Sequence, residues 1–172
     1  MNNEPSIFQD KTFSAHVKPL TSKSGEHGRS REESATTTLL PSILVVDDDA
    51  SVLAMLHDVL DLWGFDVFLA SNGREGLDVL AKQTVNGILL DLDMPVMGGR
   101  TMLDELRWLG NRTPVVVMSG GLKRPALQQL VKEGAQAYMT KPFSLSYLKQ
   151  LCATVFKNPG ASTLSYESPP VA

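Results

Sequence analysis

A single cysteine, Cys152, stands in a chain of 172 residues. It excludes an internal disulfide and cannot build a zinc site by itself. No apolar run approaches the ~18 residues that cross a bilayer. The N-terminal MNNEPSIFQD lacks the basic-then-apolar order of a signal peptide. These absences point to a reducing, cytoplasmic setting with no membrane partner. An excess of basic charge is missing too: 16 Lys and Arg face 19 Asp and Glu, for a net charge of −3. Such a balance gives no basic footprint for nucleic acid beyond a small local patch, and with no helix-turn-helix or basic segment expected after Lys157, direct DNA binding is not expected. No GxGxxG follows the first apolar run and no GxxxxGKS/T occurs anywhere, which leaves a dinucleotide fold and a nucleoside-triphosphatase loop unsupported. Histidine is scarce as well. His16 and His27 fall near the N-terminus, and only His57 remains for the rest of the chain.

What is present changes character along the chain. Residues 1–41 are rich in Ser, Thr, Asn, Lys and Glu, and from Thr21 to Thr38 there is no large apolar side chain. Such a stretch buries too little surface to offset its ordering entropy, so 1–41 is expected to be a disordered extension. Residues 158–172 repeat that composition and read as a flexible tail. Between them, 42–157 is long enough for one compact domain. Its pattern alternates. Apolar strands are expected at Ile43–Val46, Phe65–Ala70, Gly87–Leu90, Pro114–Met118 and Gln136–Thr140. Helices are expected after each strand. Val52, Leu56, Val59, Leu60 and Trp63 share one helical face that Gly64 closes. Gly73–Lys82, Gly99–Leu109 and Pro125–Glu133 follow. Leu145, Leu148, Leu151, Cys152, Val155 and Phe156 stripe the last helix. Five strands alternating with five helices predict an α/β fold, a parallel sheet covered on both faces.

In such a sheet, ligands bind beyond the carboxyl ends of the strands. Here those ends are chemically distinctive. The first strand runs into Asp47-Asp48-Asp49, the third into Asp91, the fourth into Ser119, and the fifth into Thr140-Lys141-Pro142. Acid, hydroxyl and amine therefore emerge at one edge. Two carboxylates ~4 Å apart repel by ~4 kcal/mol at an effective dielectric of about 20, so Asp47, Asp48 and Asp91 in one pocket need a proton or a cation. Oxygen-only ligands suit Mg2+, which keeps waters and accepts a phosphate oxygen. A carboxylate facing phosphorus, with a divalent cation and the Lys141 ammonium on the phosphoryl oxygens, is the machinery of phosphoryl transfer to aspartate.

The stretches ILVVDDD at 43–49, ILLDLDMPVMGG at 88–99, PVVVMSGG at 114–121 and AYMTKPF at 137–143 together resemble the receiver domain of two-component response regulators. The likeness covers residues 42–157 and is closest in character to the stand-alone, chemotaxis-type members. It implies a flavodoxin-like doubly wound (βα)5 sheet of strand order 2-1-3-4-5. It also implies that Asp91 is the phosphoacceptor. Asp47 and Asp48 would bind Mg2+, Asp48 directly and Asp47 through water, with Asp93 adding its backbone carbonyl. Ser119 matches the hydroxyl residue that moves toward the phosphoryl group, and Lys141 the lysine that pairs with it. The Lys141–Pro142 bond is cis in relatives. Tyr138 matches the aromatic switch whose rotamer reports phosphorylation. The implied donor is a sensor histidine kinase or a histidine phosphotransfer protein. No second domain is expected after Lys157, so output would pass by docking to a downstream protein through the fourth helix, fifth strand and fifth helix.

Three positions depart from the common pattern. Gly98 stands where Asp is frequent and should loosen the start of the next helix. Asp93 puts an acid two residues after the acceptor, where it bears on the lifetime of the phosphorylated state. Gly120-Gly121 should make an open, flexible loop after Ser119. Plainer roles suit other residues. Asp49 reads as a helix N-cap, His57 as solvated, Cys152 as core, and Met94 and Met97 as loop and gap-filling side chains. Two rival functions remain. Asp91-Leu92-Asp93 resembles the DxD of haloacid-dehalogenase-type phosphatases, although that motif normally closes the first strand of its fold. A degenerate receiver acting only as a binding module is the other; the full set of acid, hydroxyl and lysine speaks against it.

Overall fold

A computed structural model describes residues 40–156. Apart from Leu40 and Pro41, the expected extension at 1–41 lies outside the described residues, as does the tail at 158–172. The described chain alternates β1 (Ser42–Val46), α1 (Ala50–Leu62), β2 (Asp66–Ala70), α2 (Gly73–Leu80), β3 (Gly87–Asp91), α3 (Gly99–Trp108), β4 (Val115–Ser119), α4 (Arg124–Lys132), β5 (Ala137–Thr140) and α5 (Leu145–Leu151). The α5 helix widens into a π-helical turn over Cys152–Phe156. All strand pairs are parallel, in the order β2-β1-β3-β4-β5. The fold is therefore the expected doubly wound α/β sheet. Its order reverses between β1 and β3, which opens a crevice at their carboxyl ends.

Two apolar layers hold the sheet. Side chains alternate across a strand, so Ile43 and Val45 of β1 face Leu56 and Leu60 of α1 and Leu148 and Leu151 of α5. Leu44 and Val46 face the other way, toward Met102, Leu103 and Leu106 of α3 and Leu127 and Leu130 of α4. β3 and β4 are buried along their whole length. Each fully buried Leu, Ile or Val contributes about 1.5–3 kcal/mol of transfer free energy. Central strands covered on both faces can carry polar side chains only at their ends, which is where Asp91 and Ser119 sit.

The helix starts are set locally. The Asp49 side chain accepts the N–H groups of Ser51 at 2.8 Å and Val52 at 3.4 Å, the expected N-cap of α1. Those N–H groups, Ser51 foremost, hold its carboxyl below the ordinary range. Asn72 caps α2 by accepting the Glu75 N–H at 3.0 Å, while Glu75 accepts the Ser71 N–H at 2.9 Å. Gly98 precedes α3 and offers no side-chain cap. Several boundaries shift by a residue or two: β2 starts at Asp66 rather than Phe65, and β4 spans Val115–Ser119 rather than Pro114–Met118. β5 starts one residue later than expected, at Ala137; the Gln136 N–H donates to the Val115 carbonyl at 2.8 Å while its side chain accepts the Val115 N–H at 2.6 Å. Leu145 is 45% exposed; as the first residue of α5 it precedes the turn that meets the sheet. Trp63 is only partly buried, the C-cap of α1 with the Lys149 amine 5.4 Å from its ring.

At Gly87 the packing admits no side chain, since a Cβ would stand 2.1 Å from Cδ1 of Phe156. Gly87→Ala should therefore lower stability by about 1–3 kcal/mol in urea denaturation. Phe156→Leu should be less damaging in that variant than in the wild-type chain, the coupling that marks a direct clash.

Candidate functional site

Because β1 and β3 pair directly, the residues that follow them leave the sheet side by side. Asp47 follows β1 and is fully buried; Asp91 ends β3 and is 4% exposed. Lys141 arrives from β5. Its backbone N–H donates to the Ser119 carbonyl at 2.8 Å, and its peptide bond to Pro142 is cis. Its Nζ donates to Asp47 Oδ2 at 2.6 Å and stands 2.7 Å from Asp91 Oδ1. The other oxygens are also engaged. Asp47 Oδ1 accepts the Asp49 N–H at 3.0 Å, and Asp91 Oδ2 accepts the Asp93 N–H at 2.9 Å.

Two buried carboxylates thus share one ammonium, and the trio carries a net negative charge. Burial pushes the Asp47 carboxyl up, and the hydrogen bonds from Lys141 and the Asp49 N–H pull it back only in part. For Lys141, burial alone would depress the amine. Its hydrogen bonds to Asp47 and Asp91 outweigh that and hold it above the ordinary lysine value. The arrangement suits a group that brings positive charge or takes up negative oxygens.

The remaining expected residues surround this trio. Ser119 ends β4, next to β3, and is 1% exposed; among the described residues its Oγ accepts a long 3.4 Å bond from the Leu122 N–H. Gly120 and Gly121 are exposed, and a Cβ on either would meet nothing within 4 Å, so the loop is open as expected. Tyr138 lies inward among the core side chains on the α3 and α4 side. The Asp48 and Asp93 side chains are exposed at the rim. Among the described residues, His57 is exposed on α1 and Cys152 is buried in the core. Sequence reasoning missed Gly99. A Cβ there would stand 2.0 Å from the Asp91 carbonyl oxygen, so the backbone of α3 lies against the residue that ends β3. The only signal was the doubled glycine before a helix.

The chain and its fold have counterparts among known proteins. Residues 43–153 match the family described as the response regulator receiver domain. The chain belongs to that family. It is 36% identical over 125 residues to the transcriptional regulatory protein PrrA of Mycobacterium leprae, covering 73% of this chain and 54% of that protein. It is 36% identical over 111 residues to the regulatory protein AtoC of Escherichia coli, covering 64% of this chain and 24% of that one. The chain spans about half the length of the first of these relatives and less of the second. Among solved structures, the receiver domain of the Francisella response regulator 1452 superposes with a TM-score of 0.67 at 28% identity, over 69% of this chain and 98% of that one. Chemotaxis protein CheY4 of Vibrio cholerae gives 0.63 at 27% identity, over 67% and 98%. Membership removes the support for a haloacid-dehalogenase-like phosphatase. No helix of the described residues is long and apolar enough to cross a membrane.

Receiver domains generally bind Mg2+ at this edge. Among the described residues, no three His, Cys, Asp or Glu side chains are gathered to hold an ion unaided. Mg2+ does not need that, since one or two carboxylates with water and phosphate oxygens suffice. The hard oxygens of Asp47 and Asp91, in a pair that remains net negative beside Lys141, fit it.

Lys141→Met would leave both carboxylates without their ammonium. Because the Lys141 side chain is 26% exposed, the loss at neutral pH should be about 1–3 kcal/mol, below that of a fully buried pair. Asp47 would then bind its proton still more readily in the fold than in the unfolded chain. Stability of the variant should rise as pH falls from neutral toward the ordinary aspartate value of 3.8, narrowing the deficit against wild type. Urea denaturation across pH measures this directly.

Proposed function

We propose that residues 42–157 form a response-regulator receiver that accepts a phosphoryl group on Asp91 and signals through a phosphorylation-dependent protein contact. The observation that carries this is the Lys141 ammonium held between Asp47 and Asp91 at the reversal of strand order. The donor is a phosphohistidine on a sensor histidine kinase or a histidine phosphotransfer protein. An Asp91 carboxylate oxygen attacks phosphorus, the phosphorus–nitrogen bond breaks, and the imidazole leaves with the electron pair and takes up a proton. An acyl phosphate forms on Asp91.

Each neighbour has a task in that step. Lys141, already 2.7 Å from Asp91 Oδ1, offsets charge on the arriving phosphoryl oxygens. Ser119, held by its long bond from Leu122, turns its hydroxyl to donate to one of them. The Asp93 N–H fixes the carboxylate plane through Oδ2. Asp47, Asp48 and Asp91, with the Asp93 carbonyl, are the residues that would hold Mg2+, which when bound neutralises the phosphoryl oxygens. Movement of Ser119 opens space toward Tyr138 and shifts the population of a surface around α4, β5 and α5 that a downstream protein meets. Turnover is confined to the chain's own phosphorylation and dephosphorylation. Docking of a downstream protein on that surface carries the signal onward, in a cytoplasmic setting.

Acetyl phosphate with Mg2+ should add one phosphate per chain, located on Asp91 by mass spectrometry. Asp91→Asn or chelation of the metal should abolish it. Repeated turnover of phosphate esters would instead indicate a phosphatase, and no uptake from any donor a binding module.

A further inference from the structure

The segment 92–98 joins Asp91 to α3, and it is held at both ends. Near Asp91, the Asp93 N–H donates to Asp91 Oδ2 at 2.9 Å. At the far end, the Met97 carbonyl accepts the N–H of Gly73, the first residue of α2, at 2.9 Å. Met97 is 8% exposed and lies directly on that glycine. A Cβ at position 73 would stand 2.7 Å from Met97 Cγ and 2.9 Å from the Met97 carbonyl oxygen. Between the two anchors the chain is strained. The Met97 N–H donates to the Pro95 carbonyl at 2.7 Å, spanning two residues, with Val96 at a φ of 66°. This is the rare positive-φ γ-turn, and a β-branched residue fits that region poorly. Val96 is 86% exposed, so burial of its side chain offsets none of the strain. Such a conformation persists only where its surroundings over-determine it. Here the surroundings are the contact with α2 and the bond from the Gly99 N–H to the Leu92 carbonyl at 3.0 Å, which closes the loop.

We propose that Gly73 is a positioning residue for phosphoryl acceptance: through Met97 it clamps the strained 92–98 loop in the shape that aims the Asp93 N–H at Asp91. The inference rests on Asp91 being the phosphoacceptor. The α2 helix supplies no side chain to the acidic trio, and its part is mechanical. A methyl added at position 73 meets a backbone oxygen, which cannot rotate away as a side-chain end can, so the displacement passes into the loop. Glycine at position 96 would remove the φ restriction and let the loop absorb that displacement without moving Asp93.

The test compares wild type, Gly73→Ala, Val96→Gly and the double variant by two readouts. One is the rate of Asp91 phosphorylation by acetyl phosphate and Mg2+, expressed per folded molecule. The other is the Asp93 amide resonance of the unphosphorylated chain. Gly73→Ala should slow phosphorylation by at least about tenfold and shift the Asp93 amide, while the amides of β5 stay in place. Adding Val96→Gly should recover most of the rate. A Gly73→Ala chain that is merely less stable, with rate and Asp93 amide unchanged, overturns the proposal. Met97→Ala covers the case in which Gly73→Ala does not fold. It empties the contact without adding atoms and should speed hydrogen exchange of the Asp93 N–H and slow phosphorylation; no change in either also overturns the proposal. If wild type takes no phosphate, the assignment of Asp91 fails separately. The Asp93 amide then still decides the clamp: shifted in Gly73→Ala, it stands; unmoved, it falls.

Discussion

One ammonium shared by two desolvated carboxylates is the interaction on which the rest of this structure depends. Asp47 and Lys141 are 94 residues apart in the chain, and only the strand order brings them within a hydrogen bond. Without Lys141, two buried acids would face one another with no ammonium between them, a loss of about 1–3 kcal/mol for this part-exposed site. That penalty is a large fraction of a small domain's stability. The sheet supplies the scaffold for the contact. β1 and β3 deliver the acids side by side, and the bond from the Lys141 N–H to the Ser119 carbonyl fixes where the β5 residue enters. The trio of two carboxylates and one ammonium remains net negative.

Much of this was legible in the sequence, because the decisive signals are local. Apolar runs of strand length, each followed by a helical stripe, announce a parallel α/β sheet. Polar residues cluster where those runs stop, because buried central strands tolerate them nowhere else. Asp49 as the cap of α1 and Met97 as a gap-filler were readable for the same reason: each depends on its immediate neighbours. The residues that escaped are defined by contacts across the fold. Gly73, Gly87 and Gly99 look like ordinary helix or strand glycines until Met97, Phe156 and the Asp91 carbonyl are placed against them. Periodicity also could not tell that α5 widens at Cys152–Phe156, or that Leu145 precedes its buried face.

The site itself divides along that line. That Asp47, Asp91, Ser119 and Lys141 lie at one edge follows from strand ends alone. Which of them touch does not, and the structure joins Asp47, Asp91 and Lys141 directly while Asp48 and the Asp93 side chain remain exposed at the rim. Asp93 contributes first through its backbone N–H, a role no side-chain pattern announces. The departures from the family's common form fall on loops rather than on this trio. Gly98 leaves α3 without a side-chain cap, and Gly120-Gly121 leave the approach past Ser119 unobstructed.

The most direct test of that balance is the titration of the Lys141 ammonium, followed by NMR of its Nζ in wild type, Asp47→Asn and Asp91→Asn. Shared between two carboxylates, the amine should lose its proton above the ordinary lysine value of 10.5 in wild type, and each substitution should bring that transition down. An ordinary titration in wild type, unmoved by either substitution, would contradict the account.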